Sequence, residues 1–153
     1  MGKKIVCRNK KAAFDYFIEE KFEAGIVLQG PEVKSLREGR ASLVDSHARV
    51  KKGEVYLLSM HITPYADASS HVNLDPVRER KLLLNKREIK RLIGKTEEKG
   101  FSLIPTRVYF TEKGLAKVEI ALAKGKKKYD KRQSIKEREM KREIAQAKKQ
   151  GDY

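Results

Sequence analysis

Hydrophobic and polar positions alternate most regularly in the stretch Val118, Ile120 and Leu122, which interleaves with Lys117, Glu119 and Ala121. A period of two is that of a half-buried strand, and with residues 101–111 before it and a turn at Lys113-Gly114 it predicts a hairpin of residues 101–111 and 115–123. A second hairpin is expected from residues 48–51 and 54–62 around Lys52-Gly53. Near the start, Asn9 introduces a short helix over residues 11–16. Residues 17–28, rich in β-branched and aromatic positions, then predict a long strand bent or bulged at Gly25. Gly30 ends that strand, and Pro31 at a first helical turn with Val33 and Leu36 inside predicts a helix over residues 31–38 with Lys34 and Arg37 on its outer face. Pro64 breaks the pattern, residues 66–75 are polar and turn-rich, and Pro76 is expected to open a helical segment burying Leu82, Leu83, Ile89, Leu92 and Ile93 and stopping at Gly94.

Several short antiparallel strands with few helices fit a small barrel better than a parallel sheet, which needs repeated strand and helix units. The fold expected is mainly β: an oligonucleotide-binding-type antiparallel barrel with peripheral short helices. The 153 residues suit a single core.

Charge then changes the picture. Thirty-six Lys and Arg against 21 Asp and Glu leave a formal charge of +15, which draws a polyanion, and nucleic acid is the first suspect. The surplus is uneven. Residues 124–153 carry a net +7 and only Ile135, Met140 and Ile144 as large aliphatic groups, too few to offset the entropy of ordering them alone. The chain therefore divides into a barrel body, 1–123, and a basic tail, 124–153, expected to be disordered when free and helical on its partner. Residues 78–95 form a further basic patch. With no apolar run of membrane-spanning length and no signal-peptide core, a cytoplasmic protein without a membrane partner is expected.

Enzyme and metal signals are weak. Asp45-Ser46-His47 holds the residue types of a hydrolase triad, but triads assemble in space and consecutive side chains diverge. Cys7, His47, His61 and His71 have no metal-ligand spacing. No catalytic residue, metal or cofactor is assigned.

The segments Glu23-Ala-Gly-Ile-Val-Leu-Gln-Gly30, Glu32-Val-Lys-Ser-Leu-Arg37, Asp45-Ser46, Arg80-Lys-Leu-Leu-Leu84, Glu119-Ile-Ala-Leu-Ala-Lys-Gly-Lys-Lys127 and Asp130-Lys-Arg132 together closely resemble the small protein B (SmpB) family. Their order and spacing run through almost the whole chain, with one departure: the family's Asp-Ser-Tyr reads Asp-Ser-His47. The resemblance implies a monomeric, non-catalytic adaptor. It would bind the tRNA-like domain of transfer-messenger RNA (tmRNA, also called SsrA), support its alanylation and deliver it to stalled ribosomes for trans-translation. Its partners would include the small-subunit decoding region and mRNA channel and, indirectly, alanyl-tRNA synthetase and elongation factor Tu. The alternative is a general RNA-binding or ribosomal protein on the same barrel.

Carried over residue by residue, RNA-facing positions fall on Asn9, Glu23 and Leu83, with Lys34 and Arg37 beside them on helix chemistry. Ribosome-contacting positions fall on Gly125, Lys126, Lys127, Asp130, Lys131 and Arg132. In a tail helix Lys131, Arg138, Arg142 and Lys149 would share one cationic stripe, which adds Arg138 and Arg142. Each residue has a plainer reading. Asn9 could cap the first helix, Glu23 could form a cross-strand ion pair, Leu83 could be core, and the tail could be a solubilising extension.

Overall fold

Lys52 and Gly53 both take positive φ, 52° and 76°, the pair of left-handed conformations that matches a tight turn to the twist of its flanking strands. That turn joins β4 (His47–Lys51) to β5 (Glu54–Leu58) in the expected register, with Val50 opposite Val55. The computed structural model describes residues 4–65, 74–98, 100–125, 136–142 and 144. Its elements are β1 (Lys4–Arg8), α1 (Ala12–Asp15), β2 (Tyr16–Ile26), α2 (Gly30–Arg37), β3 (Ala41–Ser42), β4, β5, β6 (His61–Ile62), β7 (Arg80–Leu83), α3 (Lys86–Thr96), β8 (Phe101–Phe110) and β9 (Ala116–Gly125). Residues 136–142 are also helical.

The strands pair in the order β1-β8-β4-β5-β7-β2-β9, every pairing is antiparallel, and β8 pairs with β9 to close the circuit into a barrel. Closure removes the exposed edges that an open sheet would present. Strand β8 is shared. One of its edges runs along β9; the other meets β4 at Leu103 and β1 from Arg107 to Phe110. Inside, Phe22, Ala24, Val55, Leu57, Leu82, Val108, Val118, Ile120 and Leu122 form the core, with Leu36 of α2 and Leu92 of α3 packed into it.

The structure corrects several expectations. Arg80-Lys-Leu-Leu is a strand, not the start of a helix, because Leu82 pairs with both Val55 and Ile26 in the gap between β5 and β2. The helix begins at Lys86, where Asn85 Oδ1 accepts from the Glu88 amide at 2.9 Å and Glu88 Oε1 accepts from the Asn85 amide at 3.2 Å. It runs past Gly94 to Thr96. The irregularity in β2 lies between Ile18 and Glu20 rather than at Gly25. Strand β1 was not anticipated, and β6 is a separate strand paired with β3. The expected body end at Ala123 falls inside β9, whose Lys124 and Gly125 still pair with Phe17 and Tyr16.

Part of the 78–95 basic patch is turned inside. Arg80 is fully buried; its Nε donates to Glu32 Oε2 at 2.7 Å, Nη1 to the Met60 carbonyl at 2.6 Å and Nη2 to the Pro76 carbonyl at 3.1 Å. Arg78 adds Nη2 to Glu32 Oε1 at 2.5 Å, and the same oxygen accepts from the Gln29 amide at 2.8 Å, closing the first turn of α2. Burial alone would raise the Glu32 carboxyl, but Arg78, the Gln29 amide and Arg80 outweigh it and hold the group below the usual carboxylate range. Two of the segments that carry the family resemblance thus meet in one buried ion cluster.

Candidate nucleic-acid interface

The site is built on the outer face of β7, β2, β9 and β8. Because Phe22 and Ala24 point into the core, Lys21, Glu23 and Gly25 share the opposite face of β2. Across the sheet, Gly25 lies opposite Leu83 on β7 and opposite Lys117 on β9, and Lys117 lies opposite Tyr109 on β8. One step along, Glu23 lies opposite Glu119, and Glu119 opposite Arg107. Two adjacent rows therefore cross the strands.

Glu23 is exposed, and the residue directly opposite it on β9 is another carboxylate, Glu119. Like charges facing each other across a ladder destabilise it. The neighbours offset this. Arg107 Nε donates to Glu119 Oε2, Lys21 Nζ lies 3.7 Å from Glu119 Oε1, and the Tyr109 hydroxyl reaches over β9 to donate to Glu23 Oε2. The Arg107 guanidinium sits 5.3 Å from the centre of the Tyr109 ring. Burial first, and donation to Glu23 second, push the Tyr109 phenol well above its ordinary value, so it stays a protonated donor at neutral pH.

Leu83 is 53% exposed. It is not core, and the reason is strand parity: Leu82 points inward and its neighbour must point out. Asn9 joins the face from the other side. The irregularity in β8 between Pro105 and Arg107 turns two carbonyls outward, and Asn9 takes both, its Nδ2 donating to Pro105 O at 3.0 Å and its amide to Thr106 O at 2.8 Å. Its side chain does not cap α1, whose N-cap is Lys11. Asn9, Lys10, Lys21, Arg107 and Glu119 line a shallow cleft of about 480 Å³. Asn9, Glu23 and Leu83, separated by up to 74 positions in sequence, thus border one surface with cations around it.

Lys34 and Arg37 are elsewhere. Arg37 stacks on Phe110 at 5.1 Å, and Phe110 points to the opposite side of β8 from Tyr109; Lys34 lies 5.4 Å from the Tyr65 ring. Both are exposed cations on α2, each against an aromatic ring. On α3, Lys86, Arg87, Lys90 and Arg91 are exposed, with Arg91 bonded to Glu20 at 2.6 Å. Ser46 is buried and donates to the Leu43 carbonyl at 2.6 Å, away from any triad geometry. Gly125 is exposed at the end of β9; Lys126, Lys127, Asp130, Lys131 and Arg132 lie outside the described residues. Arg138 and Arg142 are exposed on the 136–142 helix, and the Arg138 guanidinium lies 5.5 Å from the Phe14 ring of the body.

Lys21, Arg107, Tyr109 and Glu119 were not among the sequence candidates. The alternation of residues 117–122 places Glu119 on an outer face, but nothing local pairs it with Arg107 or brings Tyr109 to Glu23.

A family profile described as SmpB protein matches residues 6–150. The chain is 57% identical over 147 residues to the SsrA-binding protein of Geobacter sulfurreducens, covering 96% of this chain and 95% of the relative. It is 62% identical over 146 residues to the SsrA-binding protein of Syntrophobacter fumaroxidans, covering 95% and 89%. Among solved structures it resembles, with a TM-score of 0.67 and 47% identity, a chain described under "tmRNA-SmpB: a journey to the center of the bacterial ribosome"; the match covers 84% of this chain and 93% of that one.

Proposed function

Because this chain belongs to the SmpB family, we propose that it is a non-catalytic RNA-binding adaptor whose barrel holds the tRNA-like domain of tmRNA and whose tail engages the stalled ribosome. The names of its relatives and the ribosomal setting of its structural neighbour support this reading. The observation that carries it is the convergence of Asn9, Glu23 and Leu83 on one cation-flanked outer face.

The chemistry of that face suits structured RNA. Lys21, Arg107 and Lys10 supply phosphate contacts, which position a backbone without reading it. A fixed carboxylate repels phosphate, so Glu23 favours places where RNA offers donors: an exposed base edge or a 2′-hydroxyl. Leu83 gives an unstacked base or a sugar an apolar surface. Selectivity thus comes from loops and shape, and affinity from charge.

In the same reading the adaptor supports alanylation of tmRNA and its carriage with elongation factor Tu. The cations from Lys126 to Arg132 and the arginines at 138 and 142 enter the small-subunit decoding region and mRNA channel. Sequencing the RNA that copurifies with the protein tests the first half; tmRNA should dominate. Binding to bulk tRNA with equal affinity would replace this reading with that of a general RNA binder. Removal of everything after Gly125 tests the second, and should leave tmRNA binding within about tenfold while abolishing peptide tagging.

A further inference from the structure

Two residues that no RNA need touch hold the two exposed recognition groups in place. Tyr109 stands on β8, two strands from Glu23, and its ring crosses β9 to bring the hydroxyl to the carboxylate, a span of about 10 Å between strand axes. Its ring is almost wholly buried and has Arg107 against it. A glutamate side chain on an exposed strand face ordinarily samples several rotamers and loses that freedom on binding; a donor from a buried ring restricts it beforehand. Gly25 acts on Leu83 by what it lacks. A Cβ built on Gly25 would lie 3.3 Å from Leu83 Cβ, 3.6 Å from Cδ1 and 3.8 Å from Cγ. The leucine lies against bare backbone of β2, and a Cβ at position 25 would require it to give by a few tenths of an ångström.

We propose that Tyr109 and Gly25 are positioning residues for RNA recognition, Tyr109 fixing the Glu23 carboxylate and Gly25 the seat of Leu83. The proposal rests on the reading of this face as the RNA site. It makes Glu23 and Leu83 a preset pair: they occupy adjacent strands, Leu83 directly across from the residue two beyond Glu23. An acceptor and an apolar contact at a fixed offset match a nucleotide that presents a polar edge and an adjoining sugar or ring face. Preorganisation of this kind raises affinity by lowering the ordering cost of binding.

The test measures dissociation constants of full-length variants for a transcript of the tRNA-like domain of tmRNA at fixed salt, with thermal midpoints in parallel. Tyr109→Phe keeps the ring and removes the hydroxyl; it is expected to weaken binding about three- to tenfold. Gly25→Ala should weaken it about threefold or more, because the added Cβ displaces Leu83 from its seat. A purely structural role of Tyr109 would instead lower the midpoint of Tyr109→Phe and leave the affinity of the folded protein unchanged. Each double variant gives the decisive comparison. Tyr109→Phe with Glu23→Gln should bind no worse than Glu23→Gln alone, and Gly25→Ala with Leu83→Ala no worse than Leu83→Ala alone, because each positioning residue acts only through its partner. Multiplicative losses in the double variants would overturn the proposal, as would Tyr109→Phe and Gly25→Ala binding like the parent while Glu23→Gln and Leu83→Ala do not. If Glu23→Gln and Leu83→Ala themselves bind normally, the face is not the RNA site, and the functional reading and the proposal fall together.

Discussion

Replacing Glu32 by glutamine removes one charge from a cluster that has almost no access to solvent. Arg80 is 0% exposed and Glu32 only 4%, so the guanidinium left behind cannot exchange its lost counter-ion for water. Removing one member of a buried pair costs about 3–5 kcal/mol, most of it the penalty of the stranded charge. Here Glu32 accepts from Arg80, Arg78 and the Gln29 amide together, which places the expected loss in the upper half of that range. For a domain of this size each kcal/mol moves the thermal midpoint by about 2–4 °C, so a fall of about 8–20 °C is expected. Urea melts followed by far-ultraviolet circular dichroism give the free energy directly. Glu38→Gln is the internal control: Glu38 pairs with Arg40 at 3.3 Å but is 44% exposed, and surface pairs contribute about 0–1 kcal/mol. A double variant, Glu32→Met with Arg80→Met, should cost less than the two single changes added. It should not be neutral, because it takes the Arg80 donor from the Met60 carbonyl and leaves the Pro76 carbonyl only the Ile62 amide. If Glu32→Gln lowers the midpoint by no more than Glu38→Gln does, the buried cluster does not hold α2 to β7, and the reasoning fails.

Since the Glu32 carboxyl is held below its unfolded value, its contribution to stability is complete above about pH 4.3 and is lost as pH falls through the folded value; Glu32→Gln should flatten the acid limb of a stability-against-pH curve, and an unchanged limb would refute this. RNA binding should weaken steeply with salt, with a log-log slope near about −4 for about five phosphate contacts, and a slope near zero would contradict an electrostatic hold. Ending the chain after Ala123 instead of Gly125 removes the partners of Tyr16 and Phe17 on β2; its thermal midpoint should fall below that of the longer truncation, and equal midpoints would show that the last two residues of β9 add nothing. Gly53→Val places a β-branched residue at a φ of 76°, which should cost about 1–2 kcal/mol in urea melts.

Local chemistry written in consecutive residues was legible without coordinates. The alternation of residues 117–122, the Lys52-Gly53 turn, the helix after Pro31 and the charge imbalance of the tail each depend on neighbours within a few positions, and these readings identified a mainly β body. The resemblance added Asn9, Glu23 and Leu83. What could not be read is how distant positions pair. Leu82-Leu83-Leu84 serves a helix or a strand equally well, and pairing with Val55 and Gly25 decided for a strand, exposing Leu83 and burying Leu82. Arg80 looked like one more surface cation until β7 lay beneath α2 and Glu32 took its charge. Tyr109 and Glu23 lie 86 positions apart, and no periodicity links residues brought together by a third strand between them. Periodicity records which side of its own element a residue occupies; which residues meet it there is settled only when the barrel closes, because strand register is a property of the whole sheet.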